Sequence, residues 1–157
     1  KFHWNLAFYF FSFYCFGAGM MDSLVIYDSW RYVGAEEFAA MHIAIGTRII
    51  RTFVLPMVIL FVLNIMQYWV RPAAIPRSWV TMALISQLVG WLSSIFIQIP
   101  IQLQLDKGKD EALLDKLIVS DWIRVGSWTV YTIIIIAMLY RINKAYLPIN
   151  KGKRAMG

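Results

Sequence analysis

Cysteine, histidine and acidic residues are the scarce types in this chain. The single cysteine, Cys15, cannot close an internal disulfide or build a multi-cysteine metal or redox centre. Four-helix thiol oxidoreductases of the quinone-linked kind, which work through cysteine pairs, are thereby excluded. The two histidines, His3 and His42, fall at opposite ends of their segments and cannot sandwich one haem. Nine acids stand against fifteen Lys and Arg. None lies midway along a long apolar run, which disfavours proton-coupled four-helix exporters that depend on an intramembrane acid. There is no Gly-rich phosphate loop, HExxH, GxSxG or carboxylate pair at metal spacing. No metal or cofactor is expected. Charged residues make up 15% of the chain, against about 25% in soluble domains. In such a chain the net charge of +6 reads as loop charge that sets orientation, so no nucleic-acid partner is expected.

What is abundant is apolar surface, at 60% of residues. Residues 52–70, TFVLPMVILFVLNIMQYWV, carry no charge between Arg51 and Arg71. A run of about 20 such residues crosses a bilayer core of roughly 30 Å. Three more stretches meet the same standard. The expectation is an all-α membrane protein, an antiparallel bundle of four transmembrane helices in one domain over 1–157. The helices are placed at about 3–26, 36–70, 78–105 and 110–146. The first apolar stretch is long and aromatic and lacks a small-residue cleavage site, so it is expected to be a helix and not a removed leader. Asn5, Ser12, Gly19 and Asp22 share one of its faces, and Gly17 and Gly19 suit close approach. The loop after it carries Tyr27, Trp30 and Tyr32, interfacial residue types, and Gly34 punctuates it. Pro56 should kink the second helix and free the carbonyl of Thr52. Gln87, Ser94, Gln98 and Gln102 share one face of the third helix. Asn64 and Gln87 are placed to hydrogen-bond across helices. Asp106, Lys107 and Gly108 form a turn.

Charge sorting orders the ends. All nine acids fall beside the first and third connections. The opposite end holds Lys1, Arg71, Arg77, Arg141, Lys144, Lys151, Lys153 and Arg154, and no acid. Positive residues mark the cytoplasmic side, so both termini are expected inside, in the inner membrane if the cell is bacterial. Helices 2, 3 and 4 then overrun the bilayer on the outer side and form a helical cap.

Counted up from the inner basic residues, Asp22, Arg51, Gln98 and Asp121 lie at one level, about 20 residues or roughly 30 Å away. Arg48 lies slightly above and Arg124 slightly below. With Gln102 they form a candidate polar layer, either a tight lock or the floor of an outward pocket. Asp121 and Arg124 are an i,i+3 pair, and Trp128 is placed to stack on Arg124. His42, roughly opposite Arg51 on its helix, is a weaker candidate and is expected at the surface. Cys15 reads as an apolar filler. Trp4, Trp69, Trp79 and Tyr140 suit an inner aromatic belt.

The segments SWRYVGAEEFAAMHIAIGTRI, RPAAIPRSW and IQIPIQLQLDKGKDEALLDKLIVSDWIRVGSWT resemble a family of small bacterial four-helix membrane proteins of largely unknown function. The residues that carry the resemblance are Trp30, Phe38, His42, Arg48, Ile99, Pro100, Leu105, Gly108, Leu117, Trp122, Arg124 and Trp128, over about 28–135. The chain is similar to the anthrone-oxygenase-like group, whose named members are implicated in cofactor-free oxidation of polyketides. It departs from that pattern at Gln102 and Asp121, near positions where the resemblance implies His and Asn. Two functions are therefore expected in order. The first is a non-catalytic accessory or scaffold subunit of a larger membrane complex, touching its partner through the first helix and the outer cap. The alternative is a cofactor-independent enzyme, or a binder of a small ligand or lipid, that uses the outer polar layer.

Overall fold

The computed structural model describes the backbone of residues 1–154 and the side chains of residues 1–146. Pro148, Lys151, Lys153 and Arg154, part of the basic tail, lie outside the residues whose side chains are described. Four long helices account for nearly all of the chain: α1 (Phe2–Tyr32), α2 (Ala35–Val70), α3 (Arg77–Leu105) and α4 (Glu111–Arg154). All four are long and apolar enough to cross a membrane, and no strand occurs among the described residues. Each packs on its neighbours in a ring, with α4 closing back on α1.

The first helix runs six residues past its expected end at Ile26. Tyr27 and Trp30, expected at an interface, are 0% and 2% exposed. They pack with Phe38, Leu105, Leu114 and Leu117 in a small core at the end of the bundle that carries Gly34 and Gly108, called the outer core after the expected orientation. Amphipathic aromatics serve equally well at an interface or inside a core when a polar partner reaches them. Here burial under α2 and α4 prolongs the helix, and a 3₁₀ turn, Trp30–Tyr32, ends it. Gly34 caps the start of α2.

The connection between α2 and α3 is stiffened by Pro72 and Pro76. Arg71 closes it, donating from Nε to the Ile75 carbonyl (2.9 Å) and from Nη1 to that of Tyr68 (2.7 Å). The connection between α3 and α4 turns at Gly108, whose φ of 149° favours glycine. Asp110 then caps α4, its Oδ1 accepting from the Leu113 N–H at 3.0 Å.

A larger core fills the rest of the bundle, centred on Phe8, Leu60, Ala83, Tyr131 and Ile135. Cys15 is fully buried within it. Its polar contacts are neutral. Ser12 meets the Tyr131 hydroxyl at 2.9 Å, Asn64 Nδ2 donates to Gln87 Oε1 at 2.8 Å, and Ser86 Oγ donates to the Ser127 carbonyl at 2.6 Å. Gly90 permits the close approach of α3 to α4: a Cβ there would lie 3.0 Å from Ser127 Oγ. Gly19 does the same for α1 against Phe53, at 3.3 Å. Gly17, expected at a close contact, has nothing within 4 Å of such a Cβ, because it lies on the outer face of α1.

Three helices widen into a π turn toward the same end of the bundle: Asp22–Ile26 in α1, Ile50–Val54 in α2 and Ser94–Gln98 in α3. In α2 and α3 the widened turn stops two residues before a proline, Pro56 or Pro100. Proline offers no N–H to the preceding turn, so an i→i+5 register there relieves the clash and leaves carbonyls free. The Thr52 carbonyl is one of them, and the Tyr14 hydroxyl donates to it at 2.7 Å.

Candidate functional site

Asp22 opens the π turn of α1, Tyr27 follows one turn later, and Asp121 and Arg124 stand one turn apart on α4. The structure joins these four. Arg124 donates from Nε to Asp121 Oδ1, and from Nη2 to the Tyr27 hydroxyl (2.9 Å) and to Asp22 Oδ2 (3.5 Å). Its guanidinium lies over the Tyr27 ring, 5.5 Å from the centroid. Trp128 does not stack on Arg124; it packs edge-on against Tyr131 instead. Gln102 comes in from α3 and donates from Nε2 to the Tyr27 hydroxyl at 2.6 Å. Gln98, wholly buried, accepts from Ser93 Oγ at 3.0 Å and donates to the Ser120 carbonyl at 3.2 Å. Asp22, Asp121, Arg124 and Gln102 are therefore joined through the guanidinium and the Tyr27 hydroxyl, while Gln98 keeps a separate set of bonds to Ser93 and Ser120. The arginine is largely enclosed by its partners, while Asp22 Oδ1 and Asp121 Oδ2 are buried without a donor among the described residues.

Arg48 and Arg51 stand apart from it. Both are exposed, and neither guanidinium has an ion pair or hydrogen bond among the described residues. The reason is helical phase. Phe38, His42, Phe53 and Met57 are buried along one face of α2, and Arg48 and Arg51 lie roughly 120° and 180° round the helix from His42.

His42 was expected at the surface and is buried instead, at 4% exposure. The expected geometry, with His42 and Arg51 on opposite faces, holds. The inward face is the one that carries His42. The signal was present in the four-residue spacing of Phe38 and His42 beside Trp30. In the structure the imidazole lies against both, with ring centroids 5.6 Å from Phe38 and 4.6 Å from Trp30. Nδ1 meets Asp106 Oδ1 at 2.7 Å, and Nε2 is buried without a partner among the described residues. In the neutral imidazole with Asp106 accepting the Nδ1 proton, Nε2 presents a lone pair. Asp106 and Tyr27 are site residues that sequence reasoning missed, one taken for a turn residue and the other for an interfacial one.

His42, Gln102 and Asp106 line a groove of about 390 Å³ between α2 and α3. Its other walls are mostly aliphatic, among them Ile43, Ile50, Val54, Ile99 and Leu103. No group of three His, Cys, Asp or Glu is arranged to hold a metal ion among the described residues. Chemically, the groove offers an apolar trough with hydrogen-bond acceptors at one side. Comparison of the chain with protein-family models, with curated proteins and with solved structures finds no match.

Proposed function

We propose that this chain is a multi-pass membrane protein whose outer end binds a small apolar molecule bearing a hydroxyl donor. The observation that carries the proposal is His42 Nε2, buried and unpaired on a ring held by Asp106, in the wall of an aliphatic groove. A buried acceptor left without a donor costs about 1–3 kcal/mol. A ligand hydroxyl would remove that cost while its hydrocarbon body covers the aliphatic walls. The cofactor-independent, anthrone-oxygenase-like enzyme falls within this reading, with His42 Nε2 as the base for an acidic hydroxyl.

The same proposal places both termini in the cytoplasm, in the inner membrane of a bacterial cell, because the acid-free end carries Arg71, Arg77 and Arg141. The helices, 29 to 44 residues long, exceed the ~20 residues of a span, and the excess is assigned to the outer side.

The test is a fluorescence titration of the full chain in micelles with 1-naphthol and with 1-methoxynaphthalene, which lacks the donor. Naphthol should bind about tenfold more tightly, the equivalent of one hydrogen bond. His42→Ala should erase the difference. Equal affinity of the two probes for the unaltered chain would refute the proposal.

A second reading, the accessory subunit, is favoured by one specific observation. Val119 and Trp122 are 72% and 61% exposed at the outer end of α4. A helical cap that leaves lipid with such residues uncovered is suited to a protein partner. Co-purification with a larger membrane complex, lost in a Trp122→Ser, Val119→Ser variant, would support this reading. Isolation as a lone chain from gently solubilised native membranes would count against it.

A further inference from the structure

At the acid-free end, α1, α4 and the turn after α2 enclose a second groove, of about 700 Å³. Its chemistry differs from that of the His42 groove. Leu6, Tyr9, Leu139 and Ile142 form an apolar track, Lys1 and Arg71 stand at its walls, and no Asp or Glu lines it among the described residues. Arg71 is pre-set, since two backbone carbonyls hold Nε and Nη1. Nη2 has no partner among the described residues and remains as a donor on a fixed guanidinium. Beside it, Asn5 Nδ2 donates to the Val70 carbonyl at 3.3 Å, while Asn5 Oδ1 is buried with no donor among the described residues. A cationic donor, an orphaned acceptor and an apolar track thus meet in one groove.

We infer that this groove holds one anionic phospholipid whose headgroup carries a hydroxyl, the phosphatidylglycerol class. The phosphate takes the Arg71 Nη2 donor with Lys1 as a second cation. The headgroup hydroxyl donates to Asn5 Oδ1. An acyl chain lies along Leu6, Leu139 and Ile142. A zwitterionic choline lipid matches neither the charge nor the missing donor. The inference rests on the membrane reading above but not on which side the groove faces, nor on the His42 ligand.

The test is native mass spectrometry of the full chain released from micelles containing equal amounts of dioleoyl phosphatidylglycerol and dioleoyl phosphatidylcholine. One phosphatidylglycerol should be retained in preference by about tenfold, the scale set by one to two cations at a membrane surface. Arg71→Gln should reduce the preference to within about twofold, and Arg77→Gln, outside the groove, should leave it in place. Because Arg71 also braces its turn, Leu139→Trp supplies a second variant. It fills the track, keeps the guanidinium and should lose the retained lipid. Equal retention of the two lipids by the unaltered chain overturns the inference. So does soluble glycerol 1-phosphate binding as well as the lipid, which would make the site one for a free phosphate. A chain recovered from membranes without detergent would instead refute the membrane reading itself.

Discussion

The two buried cores of this bundle hold their polar groups by different means. In the larger core the contacts are between neutral groups: Ser12 with Tyr131, Asn64 with Gln87, Ser86 with the Ser127 carbonyl. Around the outer core they involve ions: Arg124 with Asp121 and Asp22, and His42 with Asp106. The difference follows from what the surroundings charge for an error. In hydrocarbon a lost amide pair costs around 1 kcal/mol, while a lone ion costs several. The buried ion pairs are therefore gathered at one end, where neighbouring helices supply their partners. The enclosed part of that end is Arg124, held by three acceptors, although Nη1, Asp22 Oδ1 and Asp121 Oδ2 have no partner among the described residues. The open part is His42, with one nitrogen unused.

The sharpest way to break this contrast is to remove the one cation of the closed cluster. Arg124→Met leaves Asp22 and Asp121 facing each other without a guanidinium, and should cost about 3–5 kcal/mol. Reversible unfolding from mixed micelles would read it. The triple change Arg124→Met, Asp22→Asn, Asp121→Asn should recover most of that loss, because the cost lies in unpaired ions and not in missing attraction. If the triple variant were as unstable as the single one, the cluster would be a packing element and its charges incidental.

The neutral core should answer on a smaller scale. Asn64→Leu alone strands Gln87 and should cost about 1 kcal/mol, whereas Asn64→Leu with Gln87→Leu should return close to the starting stability. A single-variant cost equal to that of Arg124→Met would erase the distinction between the two cores.

How far the sequence foretold this arrangement depends on which physical signal each feature leaves. Apolar length is a bulk property, so the four long helices were legible from residues 52–70 and their counterparts. Residues four or seven apart lie on one helical face, so Ser12, Gly19 and Asp22 turn inward together, and Gln87 and Gln98 do likewise. Depth along a helix carries no direction, so Arg48 and Arg51 reach the right level but point away from the face that His42 shares with Phe53 and Met57. Pro56 and Pro100 announced a disturbance without specifying that it would be a widened turn. Tyr27, Trp30 and His42 failed for another reason. Each has a polar edge on an apolar body, and composition alone does not separate an interfacial position from a buried one, whether the polar edge finds a partner, as in Tyr27, or none among the described residues, as in Trp30.

The smallest expected effect concerns the repair of the α2 disturbance. Tyr14 is 41% exposed, so its ring adds little burial, and its hydroxyl donates to the Thr52 carbonyl that Pro56 leaves without an N–H. Tyr14→Phe should cost about 0.5–1.5 kcal/mol, the net worth of one hydrogen bond. Pro56→Ala puts back an N–H one turn above Thr52, which can satisfy the same carbonyl. In that background Tyr14→Phe should cost about half as much or less, so a double-mutant cycle should give a coupling near 0.5 kcal/mol. Additivity would mean that the hydroxyl is not there to replace the amide that proline lacks. The widened turn would then need a cause other than the proline beside it.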